Sequence, residues 1–251
     1  MVYEIRFHCS SPVIVSGPLH LDGVLAAVHP AAHNLDFISR SSKADDVVTI
    51  PLPLDSAKIG NTWVWCCTAA DYDDTAVAYH DKFAKRKDYA DYHYINTRQT
   101  PRTGPGRDRM ETIYGVSCKY VRFWASTGAG KELERIVRRV RSLGSCRKMG
   151  YGAVTDVRLS ETGMAWMDCI VRDGIAMRNI PTQVAASAEM TRVPTVPPYW
   201  LPSNLVPGVE AGNPCALRDG VWLNEYSRYR KKKQDARLRQ PIGYGEIRED
   251  N

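Results

Sequence analysis

The most telling segment of this chain is Gly144-Ser-Cys-Arg-Lys-Met-Gly-Tyr-Gly152, a basic loop bounded by glycines. Glycines let the backbone approach a ligand closely and present N–H groups to an anion. Arg147 and Lys148 add positive charge, and Tyr151 offers a ring on which a base can stack. The loop therefore indicates a phosphate-rich ligand, with an ordinary helix-to-strand turn as the alternative.

The segments on both sides of the loop have clear hydrophobic patterns. Residues 131–143 carry an apolar side chain every three or four positions, which predicts an amphipathic helix. Residues 153–159 and 164–171 are predicted strands, joined like a hairpin at 160–163. The loop thus connects a helix to a strand.

The first part of the chain predicts further regular structure. Residues 3–9 alternate between apolar and polar side chains, which indicates an opening strand. Asp22 is the predicted N-cap of a short apolar helix that ends before Pro30. Other predicted strands lie at 47–54, 62–69 and 116–125.

A charged and aromatic excursion covers residues 79–114. Its centre, residues 97–107, is too rich in glycine and proline for regular helix or central strand. It is either a surface insertion with solvated charge or a site for single-stranded nucleic acid, which requires aromatic rings for stacking and cations for phosphates. Its candidate RNA-binding cations are Lys82, Lys85, Arg86, Arg98, Arg102 and Arg107.

Composition narrows the class of protein. The chain has 251 residues, a formal net charge of +6 and seven cysteines that form no C-x-x-C pair, so neither a disulfide framework nor a zinc ribbon is indicated. It has no apolar run long enough for a membrane span, and a cytoplasmic protein is expected. Because the positive residues are clustered, nucleic acid is the favoured partner.

Two other motifs bear on catalysis and cofactors. Ser126-Thr-Gly-Ala-Gly-Lys131 is similar to a nucleotide-binding loop, but Ala125 and Glu132 stand where that motif needs glycine and serine or threonine. No nucleotide cofactor is therefore predicted. No metal site is predicted either, because the histidines show no metal-ligand spacing with acidic residues. His20 and His29 are candidate acid–base groups for a metal-independent ribonuclease, which is the alternative to a purely binding role.

The order of these elements is compatible with a ferredoxin-like or RRM-like α+β core. Four segments make the resemblance more specific: residues 18–26 (Pro-Leu-His-Leu-Asp-Gly-Val-Leu-Ala), 82–86 (Lys-Phe-Ala-Lys-Arg), 144–154 and 178–181 (Arg-Asn-Ile-Pro). In their order they resemble the RAMP superfamily of CRISPR effector subunits. Within that superfamily the chain is similar to the type IV subunit that caps the 5′ handle of the guide RNA (crRNA).

This resemblance implies a RAMP-like domain at residues 1–202, a thumb-like insertion at 79–114 and an extension with a basic tail at 203–251. It implies a non-catalytic subunit that binds the crRNA handle and contacts the backbone and large subunits. The handle would be held by Gly144, Arg147, Lys148, Gly150, Tyr151 and Gly152. In the tail, Arg230, Lys231, Lys232 and Lys233 are candidate contacts to target DNA near the protospacer-adjacent motif (PAM), and an endoribonuclease that processes precursor RNA is the alternative function.

Overall fold

A computed structural model describes residues 1–29, 50–85, 109–197, 199 and 204–226. The fold is α+β, as predicted, with small antiparallel sheets and two α-helices in the described ranges. The helices are α1 (Leu21–Val28) and α2 (Gly130–Val137), and short 3₁₀ turns occupy Arg147–Met149 and Trp166–Cys169. The strands are β1 (Val2–Cys9), β2 (Val13–Ile14), β3 (Ser56–Ile59), β4 (Thr62–Trp65), β5 (Asp71–Tyr72), β6 (Val77–Lys85), β7 (Arg109–Ser117), β8 (Tyr120–Ser126), β9 (Val154–Thr162), β10 (Val171–Arg172), β11 (Ile175–Ala176), β12 (Ile180–Pro181), β13 (Ala185–Ala186), β14 (Thr191–Pro194), β15 (Leu205–Val209), β16 (Ala216–Leu217) and β17 (Trp222–Asn224).

The central sheet is antiparallel and has the strand order β5–β8–β1–β9. Ile5 and Phe7 of β1 are fully buried, and the ring of Phe7 meets Phe123 of β8 edge to face at 5.7 Å between centroids. Alternate residues of a strand face opposite sides of the sheet, so one face of β1 and β8 lies in the core. The predicted opening strand is confirmed.

Both helices pack on this buried face, where Leu21 and Leu25 of α1 join Leu133 and Ile136 of α2 in one core cluster. The predicted helix at 131–143 is wrong beyond Val137. After that residue the N–H groups of Arg139 and Val140 donate to carbonyls three positions back, and the chain leaves the helix. Val140 and Leu143 are still buried, so their apolar spacing indicates that these side chains lie in the core but does not indicate a helical backbone.

The start of α1 also differs from the prediction. His20 occupies the N-cap position and makes no side-chain capping bond. Asp22 lies inside the first turn and is fully buried, where its carboxylate accepts a hydrogen bond from Arg178. The N-cap prediction for Asp22 is therefore wrong, because its carboxylate is hydrogen-bonded to the buried guanidinium of Arg178.

Strands β6 and β7 form a ladder of nine residue pairs, from Val77 opposite Ser117 to Lys85 opposite Arg109. Strand β2 pairs with β7 only at Val116 and Gly115. Beyond that point β6 and β7 form a two-stranded ribbon, which we call the arm. The arm forms both ends of the predicted excursion at 79–114, and residues 86–108 between its strands lie outside the described part of the chain.

The C-terminal part builds a second core cluster from short strands, among them the sheet β12–β15–β14. The predicted hairpin at 153–171 is wrong. Strand β9 continues to Thr162 because β1 offers a partner as far as Val2, and the next residues form a 3₁₀ turn. The predicted strand at 47–54 is also misplaced: residues 50–54 are not in a strand, β3 begins at Ser56, and residues 47–49 lie outside the described ranges.

Candidate nucleic-acid interface

The glycine loop, residues 144–152, is held against β2 and the residues that precede it. The N–H of Ser145 donates to the carbonyl of Ile14 at 2.8 Å, and the N–H of Gly152 donates to the carbonyl of Pro12 at 2.8 Å. The Ser11 hydroxyl donates to the carbonyl of Gly150, also at 2.8 Å. Both ends and the middle of the loop are thereby fixed to the rest of the protein.

Two of the loop glycines are required by close approach. Gly144 has φ +73°, and a Cβ added there would lie 2.3 Å from the carbonyl oxygen of Ile14. Gly152 has φ +64°, and a Cβ there would lie 2.0 Å from the carbonyl oxygen of Leu143. Four loop N–H groups, those of residues 145, 149, 150 and 152, already donate to backbone carbonyls. These glycines thus maintain the loop's shape. Because those four N–H groups are already used, an anion would be bound mainly by the side chains of the loop.

Arg147 and Lys148 lie on the outside of the loop, in its 3₁₀ turn. Both are exposed, and neither side chain makes a hydrogen bond or an ion pair with any described residue. By contrast, Arg138 of the neighbouring segment is paired with Glu134 at 2.7 Å. As far as the described residues go, the two loop cations are therefore available to an external anion.

Tyr151 connects the glycine loop to the arm. Its hydroxyl donates to the Asp81 carboxylate at 2.7 Å, and its ring lies 6.0 Å from the ring of Tyr79. The Tyr79 hydroxyl donates to the same carboxylate oxygen at 3.2 Å. The hydrogen bond from Tyr151 lowers the pKa of Asp81. Two sequence segments 70 residues apart are thus brought together in one place.

The other predicted RNA-binding residues are only partly covered by the structure. Lys82 is exposed on the arm, and Lys85 is the last residue of β6. The remaining candidates lie outside the described ranges: Arg86, Arg98, Arg102, Arg107, Arg230, Lys231, Lys232 and Lys233.

The two candidate catalytic histidines flank α1 at opposite ends. His20 is 3% exposed and stacks on Tyr199 with 4.7 Å between ring centroids. Burial, assisted by the charge of Arg178, lowers the pKa of His20 to about 4. His29 follows the last turn of the helix, about 13 Å away by helical rise. Since an acid and a base must both reach one scissile phosphate, this arrangement does not favour the pair as catalysts.

A buried polar network was missed by the sequence analysis. Arg178 is fully buried, and its guanidinium donates to the Asp22 carboxylate at 3.0 Å, to the Trp65 carbonyl at 2.8 Å and to the Thr195 carbonyl at 2.8 Å. Tyr199 donates to the other Asp22 oxygen at 2.6 Å. Two segments of the family resemblance, 18–26 and 178–181, therefore meet in the interior. A lone arginine in an otherwise apolar stretch was the available signal, because a buried charge needs a partner.

The residues that the structure describes contain no group of three or more histidine, cysteine or acidic side chains arranged to hold a metal ion. No helix within these ranges combines the length and the apolar character needed to cross a bilayer.

Comparison with protein families assigns the chain to the type IV CRISPR-associated proteins. The family described as CRISPR type IV associated protein Csf3 matches residues 2–211. The chain belongs to this family, which confirms the type IV resemblance drawn from the sequence. No curated protein matches the chain.

Proposed function

We propose that this chain is the non-catalytic subunit that caps the 5′ handle of the crRNA in a type IV CRISPR effector complex. The complex would be cytoplasmic, and this subunit would contact its backbone and large subunits. The family match supports the type IV assignment. The handle, the partners and the absence of catalysis are the added parts of the proposal.

The arrangement of the central sheet supports a RAMP-like core. Counting only its strands, the chain order is β1, β5, β8, β9, with α1 after the first and α2 after the third. Their spatial order, β9–β1–β8–β5, is that of the βαββαβ ferredoxin-like motif. We assign residues 1–202 to this RNA-binding domain, with 79–114 as its thumb.

The observation that carries the RNA proposal is the pair of exposed cations on a fixed loop. Arg147 and Lys148 are exposed and have no partner within the described ranges, while the loop beneath them is held by Pro12, Ile14 and the Asp81–Tyr151 hydrogen bond. A preformed cationic surface loses little freedom when it binds phosphates. Fixed phosphate contacts position an RNA, and contacts to splayed bases then provide specificity.

Binding by the loop is tested with a single-stranded RNA of the repeat sequence. The double variant Arg147→Ala/Lys148→Ala should weaken binding and reduce the salt dependence by about 0.7 log units for each lost phosphate contact. The double variant Arg192→Ala/Arg218→Ala removes the same charge from the exposed surface of the C-terminal part and is the control for charge. An unchanged salt slope in the loop variant would remove the loop from the interface.

The alternative function, metal-independent cleavage of precursor RNA, has a direct test. The protein is incubated with end-labelled repeat RNA in the presence of a chelator, and the products are separated by size. One discrete cut that is abolished by His20→Ala or His29→Ala would overturn the non-catalytic proposal. Intact RNA that remains bound supports it.

The complete assembly is tested by co-expression with the neighbouring genes and a repeat-spacer array. RNA that copurifies should consist of uniform small species with a shared 5′ end derived from the repeat. Crosslinking then tests whether residues 230–233 contact target DNA. Heterogeneous RNA would identify a general RNA-binding protein instead.

A further inference from the structure

The two faces of the arm differ in charge and exposure. The face turned toward the glycine loop carries Asp81, Ile113 and Glu111, and Ile113 is only 9% exposed. Side chains alternate along each strand, so the residues between these positions form the opposite face. That outer face carries no acidic residue in either strand.

The outer face is open to solvent and combines aromatic, apolar and basic side chains. Tyr114 is 66% exposed and Met110 is 68% exposed. His80 lies directly opposite Tyr114, and Lys82 lies directly opposite Thr112, one row further along. All of these side chains are held on a regular ladder, so their spacing is set by the backbone.

We infer that Tyr114 is a stacking platform for one unpaired RNA base, with His80 beside it and Lys82 on the adjoining phosphate. This inference rests on the proposed function and adds a contact residue outside the glycine loop. An exposed aromatic ring with a cation, on a face of the arm where neither strand carries a carboxylate, suits a single strand, because every base presents a π-face and the cation attracts the phosphates.

The dimensions of the ladder fit this assignment. Directly opposite side chains such as His80 and Tyr114 lie about 5 Å apart at Cβ, and diagonal neighbours such as Lys82 lie about 7 Å away. A flexible lysine side chain spans that distance to reach the phosphate of the stacked nucleotide. Duplex RNA keeps its bases paired and stacked, so it gains nothing from Tyr114.

The test uses the full chain and single-stranded RNA of the repeat-derived handle, with the fluorescent base 2-aminopurine placed at one position at a time. In the wild-type complex, stacking on Tyr114 should quench 2-aminopurine fluorescence at one position of the RNA. Tyr114→Ala should abolish that quenching and lower the affinity for RNA by about 5- to 100-fold without changing the salt slope. Tyr114→Phe keeps the ring and should bind like the wild type. Lys82→Ala should reduce the salt slope by about 0.7. Trp222→Ala removes a ring that is 51% exposed on β17 and is the matched control.

The outcomes separate this inference from the proposed function. If the Arg147→Ala/Lys148→Ala variant loses affinity and Tyr114→Ala does not, the stacking inference is wrong and the loop proposal stands. If the wild-type protein does not bind the handle RNA at all, both fail. Loss of subunit assembly with unchanged RNA binding in Tyr114→Ala would also overturn the inference. Because Tyr114 is exposed, thermal melts of its variants should match the wild type.

Discussion

Replacing Asp22 with asparagine should strongly destabilise this protein. The substitution keeps the size of the side chain and removes its charge, which leaves the Arg178 guanidinium buried without a counter-ion. Both side chains of the native pair are 0% exposed, with 3.0 Å between Arg178 Nη2 and Asp22 Oδ2. Removing one partner of a buried pair costs about 3–5 kcal/mol, because the remaining charge is not compensated.

The chain contains a matched control for this experiment. Glu134 and Arg138 are only 2.7 Å apart, but their side chains are 46% and 60% exposed. Exposed pairs contribute at most about 1 kcal/mol, so Glu134→Gln should have little effect. The two ion pairs therefore differ mainly in burial.

Urea unfolding followed by circular dichroism gives the free energy of unfolding of each variant by linear extrapolation. A loss of about 3 kcal/mol or more in Asp22→Asn, beside a loss below about 1 kcal/mol in Glu134→Gln, is the expected result. Equal losses in the two variants would refute the reasoning, because burial would then not decide the strength of the pair. Tyr199→Phe should fall between them, since it removes one hydrogen bond to the same carboxylate.

Three further predictions concern pH and the glycine loop. The pKa of His20 is about 4 in the folded protein; it returns to about 6.5 on unfolding, so protonation favours the unfolded chain, and the free energy of unfolding should fall by about 3 kcal/mol as pH drops from 6.5 to 4. His20→Phe should flatten that dependence in urea titrations at several pH values. Gly152→Ala should cost about 2 kcal/mol or more because its Cβ would meet the Leu143 carbonyl, whereas Gly163→Ala, with nothing within 4 Å, should change stability by less than about 0.5 kcal/mol. Tyr151→Phe should weaken the link between loop and arm because it removes the hydrogen bond to Asp81; faster amide hydrogen exchange in residues 144–152 is the expected result, and unchanged exchange would contradict it.

Strands β1 and β8 of the central sheet could be predicted because one face of each is buried, whereas the two-residue strand β5 was not predicted. Phe7 and Phe123 sit in runs that alternate with polar residues, and this pattern has a single structural interpretation. The end of α2 could not be predicted, because Val140 is buried in a turn with the same spacing that a helix would require. Local apolar spacing identifies burial more reliably than it identifies the backbone that provides it.

The site shows a similar division. The glycines, Arg147 and Lys148 were predicted from local composition, and the structure describes them in one anchored loop. The hydrogen bond from Tyr151 to Asp81 could not be predicted, because the partners are 70 residues apart and nothing in either local sequence pattern indicates which distant residue it contacts. For the same reason Arg178 was seen only as part of a motif, and its partner Asp22, 156 positions earlier, was assigned to a helix cap.

That separation of 156 positions has a consequence for synthesis on the ribosome. At a rate of about 5–20 residues per second, the Asp22 carboxylate waits roughly 8–30 s before its counter-ion is made. During that time α1 cannot complete its burial without enclosing an unpaired charge. The native interior therefore closes late, after the C-terminal segment has emerged from the ribosome, and released chains truncated before Arg178 should be digested by protease far more readily than the full-length chain.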